Sequence, residues 1–199
     1  MRISIPQVKN LNHVLTQRAI TGERLPGSLN RIKTAWRRFM KNKTTRAWIN
    51  ENMKQGAWSL ETKWNEESGH WHTHLHILAE SSLQIGNTSG AERCPEGVQM
   101  LSYYWNECCR LAALSEGVED DGEAWGMQVS VTEMKSRDDL SEVAKYVAKG
   151  YDIPDDKIIE TYTGLFNVQT FNVWGKEWRA ARSIVKADGY GEELDGTDD

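Results

Sequence analysis

The clearest pattern in the chain is an alternation of apolar and polar residues over positions 57–79. Residues 57–64 alternate as expected for a strand, with Trp58 and Leu60 on one face. A polar, turn-forming segment follows at residues 65–69, and a second alternating segment begins directly after it. The pattern therefore predicts a β-hairpin whose two strands are joined by a short turn.

The second strand of this hairpin carries four of the chain's five histidines. His72, His74 and His76 share one face of the strand because they alternate with other residues, and the opposite face suits a hydrophobic core. Three aligned imidazoles are typical of a site for a metal ion or a phosphate group. A run of surface histidines is the alternative, but it gives no reason for alternation with apolar residues. The hairpin also brings Glu61 within reach of the histidine face.

Helical periodicity and turn residues predict elements on both sides of the hairpin. Ser28 is the expected N-cap of a helix over Leu29–Lys41, because Pro26-Gly27 precedes it as a chain breaker. The other expected elements are a strand at Arg2–Ile5, a helix hinted at by residues 9–26, a helical or irregular segment at residues 45–54, a loop at residues 80–96, a helix over Val98–Leu114, a strand at Trp125–Thr132, a helix over Asp139–Lys149 and a last helix over Trp178–Ala187. Residues 158–162 and 165–174 fit either a helix or a strand.

Length and composition restrict the class of protein. The 199 residues fit one domain, which we expect over residues 1–187, followed by an acidic, Gly-rich and disordered tail at residues 188–199. We expect no membrane partner, since no apolar run approaches the roughly 20 residues of a membrane helix and the chain opens without a secretory signal pattern. Three cysteines without paired spacing favour reduced thiols in a cytoplasmic protein.

The net charge of −5 hides an uneven distribution. Residues 1–64 hold 13 Lys and Arg against 3 Asp and Glu, a net charge of about +10, so the remaining residues carry about −15. Such asymmetry indicates a basic binding face with an acidic tail, and two solvated charge regions are the alternative.

A second candidate site lies on the helix that Gly150 is expected to end. Glu142, Tyr146 and Lys149 are spaced by four and three residues, so they share one helix face. A phenol becomes a useful nucleophile when a cation or a metal assists it, and a carboxylate can act as a general base. The alternative is an ordinary amphipathic helix whose polar face meets water.

Together these motifs resemble the HUH endonucleases. His74-Leu75-His76 resembles the histidine–hydrophobe–histidine signature of that family. The segment from Glu142 through Tyr146 to Lys149 is similar to the tyrosine motif of rolling-circle plasmid replication initiators that pair one tyrosine with one glutamate. Ile3-Ser4-Ile5 and Ser59-Leu60-Glu61 stand where the family's strands before the histidine motif are expected, so the resemblance covers residues 2–152.

The resemblance implies a fold and a reaction. The fold is α+β, with a central antiparallel sheet of about five strands flanked by helices, an RRM-like or ferredoxin-like palm with the histidines on a middle strand. His74, His76 and a third ligand would hold one Mn²⁺ or Mg²⁺ against a scissile phosphate of single-stranded DNA. Glu61 is the expected third ligand and His72 the alternative. Tyr146 would attack to leave a 5′-phosphotyrosine, with Glu142 activating water and Lys149 positioning the phosphate or the tyrosine.

The same resemblance implies the partners. The substrate would be single-stranded or hairpin origin DNA, and because the chain has no room for a helicase domain, a host helicase is the expected second partner. DNA contact must concentrate on the basic segment at residues 31–46, since the chain is acidic as a whole. The expected DNA-binding residues are Arg31, Lys33, Arg37, Arg38, Lys41 and Lys43.

Three other interpretations are compatible with parts of the sequence. The alternating histidines also fit a histidine-triad nucleotide hydrolase or transferase, in which the middle histidine would be the nucleophile. His74, His76 and Glu61 fit a two-histidine, one-carboxylate iron site. A non-enzymatic DNA-binding protein with a structural metal is the third alternative. The histidine-triad interpretation leaves the tyrosine helix without a role, and the iron-site interpretation gives no reason for the basic helix.

Overall fold

The histidine hairpin lies at the middle of an antiparallel sheet. The structure is a computed structural model that describes residues 9–89, 94–134 and 153–187. The strands are β1 (Lys9–Gln17), β2 (Met53–Asn65), β3 (His70–Ser81), β4 (Gly86–Asn87), β5 (Gly126–Glu133) and β6 (Phe171–Trp174). Their spatial order is β4-β5-β1-β3-β2-β6, and every neighbouring pair is antiparallel. The predicted α+β class with a central antiparallel sheet is confirmed, with six strands in the described ranges where about five were expected.

Five α-helices accompany this sheet within the described residues. They are α1 (Leu25–Lys41), α2 (Lys43–Asn52), α3 (Glu96–Ser115), α4 (Ile158–Leu165) and α5 (Lys176–Ala187). The predicted helices over Leu29–Lys41, Val98–Leu114 and Trp178–Ala187 are confirmed, each with an earlier first residue. None of the helices in the described ranges is both long and apolar enough to cross a membrane.

The predicted hairpin of β2 and β3 is confirmed. Asn65 lies opposite His70 at its closed end, and the amide of Gly69 donates to the carbonyl of Asn65 at 2.9 Å. Gly69 has a φ of 65°, a left-handed conformation that glycine adopts without steric cost. The turn therefore fixes the register that decides which side chains share a face.

The helix hinted at by residues 9–26 is wrong in its first half, which forms strand β1. Leu11 and Leu15 point into the core, but so do the polar residues His13 and Gln17. The side-chain amide of Gln17 donates to the backbone carbonyl of Ser28 at 2.7 Å, which makes its burial tolerable. The sequence of β1 does not show the alternation of apolar and polar residues that is typical of a strand, because two of its four buried positions, His13 and Gln17, are polar.

The predicted N-cap of α1 is also wrong. Helix α1 begins at Leu25, with Pro26 in its first turn, where a missing backbone N–H costs nothing. Ser28 is therefore buried inside the helix, and its hydroxyl lies 2.8 Å from the hydroxyl of Thr73. The start of α1 is capped from elsewhere, because the Leu25 amide donates to the Glu160 carboxylate on α4 at 2.7 Å.

The hydrophobic core lies on the face of the sheet opposite the histidines. Leu75 and Ile77 on β3 are fully buried in one cluster with Ile32 and Phe39 of α1 and Trp105 of α3. Successive side chains of a strand point to opposite faces, so helices α1 and α3 cover one face and the imidazoles occupy the other.

Several predicted segments lie outside the described residues. These are the strand at Arg2–Ile5, the helix over Asp139–Lys149 and the acidic tail at residues 188–199. Of the segments that sequence left undecided, residues 158–162 are helical in α4, and residues 165–174 contain the end of α4 and strand β6.

Candidate active site on the histidine face

The register of three central strands gathers polar side chains on the histidine face. Glu61 of β2 lies directly opposite His74 of β3, and Thr16 of β1 lies opposite His74 on its other side. Because the strand pairs are in register, these side chains point to the same face as His76. The site is thus built by β1, β2 and β3 together.

Glu61 and His76 form the closest pair on this face. Nε2 of His76 donates to Oε2 of Glu61 at 2.8 Å, since an ionised carboxylate only accepts. The second carboxylate oxygen of Glu61 lies 2.9 Å from Nζ of Lys63. Glu61 is only 7% exposed and His76 only 6%, so both groups lie in a shielded environment.

The charge state of Glu61 follows from these partners. Burial favours the neutral carboxyl, but the hydrogen bonds from His76 and Lys63 outweigh that effect and lower the pKa of Glu61 to about 2. Glu61 is therefore an anion at neutral pH, placed between two imidazoles.

His74 is held by β1 and stays neutral. Its Nδ1 lies 3.0 Å from the hydroxyl of Thr16. Burial lowers the pKa of His74 to about 4, although the nearby Glu61 carboxylate acts in the opposite direction. A neutral imidazole is the form that binds metal ions, and the contact of Nδ1 leaves Nε2 as its other nitrogen.

The chemistry of these donors fits a divalent cation. Two imidazoles and one ionised carboxylate form a ligand set that suits Mn²⁺, and oxygen from water or phosphate would complete it. Within the described ranges, no three His, Cys, Asp or Glu side chains already stand close enough together to hold a metal ion. The direct hydrogen bond between His76 and Glu61 uses an imidazole nitrogen and a carboxylate oxygen of the expected ligand set.

His72 lies apart from this pair. Its ring stacks on that of His74, with centroids 6.4 Å apart and planes inclined by 19°, and its other ring neighbour is His70 at 5.0 Å. Nε2 of His72 is buried and has no hydrogen-bond partner among the described residues. Burial, together with the imidazole of His70, lowers the pKa of His72. Glu61, the expected third ligand, contacts His76, whereas the ring contacts of His72 are with His74 and His70.

The expected catalytic residues Glu142, Tyr146 and Lys149 lie outside the described residues. Their position relative to the histidine face therefore stays a prediction. The structure does bring together Glu61 and His76, with His74 directly opposite Glu61.

Five of the six expected DNA-binding residues are exposed or half-buried, and Arg31 is buried. Lys33 is half-buried, and Arg37, Lys41 and Lys43 are exposed. The prediction that Arg31 contacts DNA is wrong, because it is 1% exposed and its guanidinium bonds the Glu23 carboxylate. Arg31 lies on the inner face of α1 because it is three residues after Ser28 and four before Ala35, and both of these are buried.

The remaining residue of that set is Arg38, which is half-buried and lies near the end of α1. All of these cations belong to α1 or to the start of α2. Since α1 covers the core face of the sheet, its exposed cations lie on the side of the sheet away from the histidines.

Two site residues were missed by sequence reasoning. Thr16 belongs to β1, which the sequence pattern does not predict as a strand, so the sequence does not indicate its contact with His74. Lys63 shares the strand face of Glu61 by simple alternation, and this signal was present in the sequence.

Comparisons with protein-family models, with curated proteins and with solved structures find no match for this chain. The resemblance to HUH endonucleases therefore rests on the motif residues themselves. The geometry of Glu61, His74 and His76 supplies the structural support for a proposal.

Proposed function

We propose that this protein is a metal-dependent endonuclease of the HUH type, which nicks and rejoins single-stranded origin DNA during rolling-circle replication. The observation that carries the proposal is the ionised Glu61 bonded to His76 and directly opposite His74, on the middle strands of the sheet. Strand register and alternation put Glu61, His74 and His76 on the same face, which supports their choice as ligands.

His74, His76 and Glu61 would hold the cation. A bound Mn²⁺ or Mg²⁺ withdraws electron density from the phosphoryl oxygens and offsets the charge that develops on them. Thr16 would orient the His74 ring, because its hydroxyl lies against Nδ1 and leaves Nε2 toward the ligand site. Lys63 would hold the Glu61 carboxylate in place, since it bonds the oxygen that His76 does not use.

The nucleophile is the hydroxyl of Tyr146, as the motif resemblance implies. Its oxygen would form a bond to the scissile phosphorus while the bond from phosphorus to the 3′-oxygen breaks. The phenol loses its proton and the departing 3′-oxygen gains one, so the products are a 5′-phosphotyrosine and a free 3′-hydroxyl. Lys149 would position the phosphate or the tyrosine, and Glu142 would activate water to release the enzyme.

Origin DNA in single-stranded or hairpin form would be the substrate, and a host helicase would unwind the duplex. The exposed cations Arg37, Lys41 and Lys43, with the half-buried Lys33 and Arg38, would contact the DNA backbone by charge attraction. Those on α1 lie across the sheet from the histidines, so the DNA would contact the protein on more than the nicking face.

The test is covalent capture of the substrate. The protein is incubated with labelled single-stranded hairpin DNA and Mn²⁺, and complexes that resist SDS are separated by gel. The wild type should give a protein–DNA adduct that disappears with EDTA and with Tyr146→Phe. Glu142→Gln should still form the adduct but release it more slowly. An adduct that survives both Tyr146→Phe and EDTA would overturn the proposal.

A further inference from the structure

A groove of about 550 Å³ opens on the side of the sheet opposite the histidines. It is lined by α1, by the core face of β2 and β3, and by the segment that leads into β6. Its lining residues are three cations, three carboxamides and a set of apolar residues, and no Asp or Glu is among the described residues that line it. The chain as a whole has a net charge of −5, but the described residues that line this groove include cations and no carboxylate. The groove is therefore locally positive and favours an anion.

The cations form a row along one helix. Lys33, Arg37 and Lys41 are separated by four residues each, which brings them onto one side of α1. Four residues of an α-helix rise by about 6 Å, so the row presents positive charge at regular steps. A linear polyanion with evenly spaced charges matches this row better than a single phosphate does.

The opposite wall carries amide side chains. Asn167, Gln169 and Asn172 line it, and Asn167 has a φ of 57°. Asn167 directly follows the C-cap of α4, a position where Asn commonly adopts this left-handed conformation. Asn167 is exposed, so its side-chain amide is accessible to a ligand in the groove.

The other two carboxamides are partly engaged. The carbonyl oxygen of Asn172 accepts from Arg182 at 2.8 Å, and its amide donates to Gln169 at 3.4 Å. The amide nitrogen of Gln169 keeps its hydrogens for a ligand. Together with Asn167, the wall offers both donors and acceptors, as the edge of a nucleobase requires.

The floor of the groove is apolar. Leu60 and Leu75 form it from the sheet, and Trp36 and Trp58 border it with their rings 6.2 Å apart. These four side chains are between 0% and 9% exposed, so a flat, weakly polar group in the groove gains only a small contact area from them. A phosphate alone would gain nothing from it.

We propose that this groove binds a short segment of single-stranded nucleic acid. The phosphates follow the row of Lys33, Arg37 and Lys41, and one unstacked base lies on the apolar floor with its edge against Asn167 and Gln169. The site is separate from the histidine face, and it rests on the proposed function only for the expectation that DNA is the ligand. It requires neither the metal nor Tyr146.

Binding is measured by fluorescence anisotropy with a labelled oligothymidylate in EDTA, over a series of NaCl concentrations. In EDTA no metal-dependent nicking occurs, so the result is independent of the proposed activity. The triple variant Lys33→Gln/Arg37→Gln/Lys41→Gln should bind more weakly. It should also reduce the slope of log K against log salt by about 2, because each phosphate contact on a single strand contributes about 0.7.

A matched control removes the same charge elsewhere. Arg24, Arg46 and Lys54 are exposed, and none of them lines the groove. Their triple Gln variant should keep the wild-type slope to within about one half, less than a single lost phosphate contact. If both triple variants lower the slope equally, the attraction belongs to the whole basic half, and the groove proposal fails.

The base-binding wall is tested without any change of charge. Asn167→Gly tolerates the positive φ and Gln169→Ala removes the second amide. The double variant should weaken binding roughly fivefold at unchanged salt slope, as expected for the loss of about one net hydrogen bond. Unchanged affinity would overturn base binding in the groove.

Binding of other nucleic acids distinguishes RNA from DNA and single strands from duplexes. Oligouridylate and oligothymidylate of equal length distinguish RNA from DNA, since only the former carries 2′-hydroxyls. Duplex DNA of the same length should bind less tightly to the wild type and be insensitive to the double variant, because its bases are stacked. A duplex that binds as tightly as the single strand, and is equally sensitive to the double variant, would contradict the proposal. Circular dichroism confirms that each variant is folded.

Discussion

Glu61 faces His74 across two paired strands, yet its carboxylate bonds His76, the diagonal neighbour on β3, at 2.8 Å. One carboxylate thus stands beside both histidines of the motif. Diagonal contacts of this kind are within reach of long side chains on an antiparallel sheet. The ionised state of Glu61 and the neutral state of His74 are the charge states that the proposed metal site requires of these two residues.

The first prediction concerns the charge of Glu61. Glu61→Gln keeps the size and an acceptor for His76 but removes the negative charge. We expect Mn²⁺ affinity, measured by isothermal titration calorimetry, to fall more than about tenfold, because loss of even an outer-shell partner costs roughly 10- to 100-fold. Glu67→Gln, in the exposed hairpin turn, is the matched control and should bind like the wild type. Equal affinity for Glu61→Gln and the wild type would remove Glu61 from the ligand set.

The second prediction concerns the hydroxyl of Thr16. Thr16→Val is nearly isosteric and removes only the group that contacts Nδ1 of His74. Without that contact the His74 ring is free to rotate, so Mn²⁺ affinity should fall about tenfold while the protein stays folded. Thr132→Val, at an exposed position of β5, is the control with no contact to a histidine. A loss of thermal stability with intact metal affinity would assign Thr16 a purely structural role.

The third prediction concerns pH and buried histidine. Burial lowers the pKa of His13 to about 4, against hydrogen bonds that act in the opposite direction, and its Nδ1 lies 3.2 Å from the carbonyl of Ile77. Below a pH of about 6.5, His13 binds a proton in the unfolded chain, whereas in the folded protein it stays neutral down to about pH 4. Stability is therefore complete above pH 6.5 and falls as pH drops to 4.

His13 alone accounts for a loss of about 2 to 3 kcal/mol between pH 7 and pH 4.5. His74 adds to the loss in the same window, since its pKa is lowered as well. Glu61 does not, because its lowered pKa makes it lose stability only below a pH of about 4.5. Urea unfolding of the wild type and His13→Gln at pH 7 and pH 5 measures the difference. Neutral burial of His13 would be contradicted if the free energy of unfolding of the wild type were the same at both pH values and the variant showed the same pH dependence.

The fourth prediction separates the buried Arg31 from the basic surface. Arg31→Met should destabilise the protein by about 3 kcal/mol, because it leaves the Glu23 and Glu116 carboxylates without their shared cation. The affinity of the folded variant for single-stranded DNA should not change. Arg46→Met, at an exposed position on α2, should leave stability within about 0.5 kcal/mol. Weaker DNA binding by folded Arg31→Met would return Arg31 to the DNA surface.

The hairpin is predictable because the sequence pattern that indicates it is local and clear. Apolar residues alternate with histidines over β3, and a polar turn with Gly69 closes the hairpin, so face, partner and register follow from the sequence. The same pattern identified Glu61 as a residue on the histidine face. This part of the candidate site required no knowledge of the rest of the chain.

Strand β1 and the start of α1 were not predictable in the same way. The inward positions of β1 include His13 and Gln17, whose burial is permitted by partners distant in sequence. Helix α1 begins at Leu25 because Glu160, 135 residues later, accepts from its first amide. Tertiary contacts decide the case of β1. Pro26, in contrast, is a local signal for the start of α1, because proline is common in the first turn of a helix.

The direct measurement is the identity of the residue that carries DNA after cleavage. The covalent complex formed with single-stranded hairpin DNA and Mn²⁺ is digested with nuclease and protease, and its peptides are sequenced by mass spectrometry. We predict a nucleotide phosphate on Tyr146, in the peptide that also contains Glu142. A nucleotide found on Tyr151 or on His74, or a cleaved strand with no covalent peptide, would contradict the proposed function.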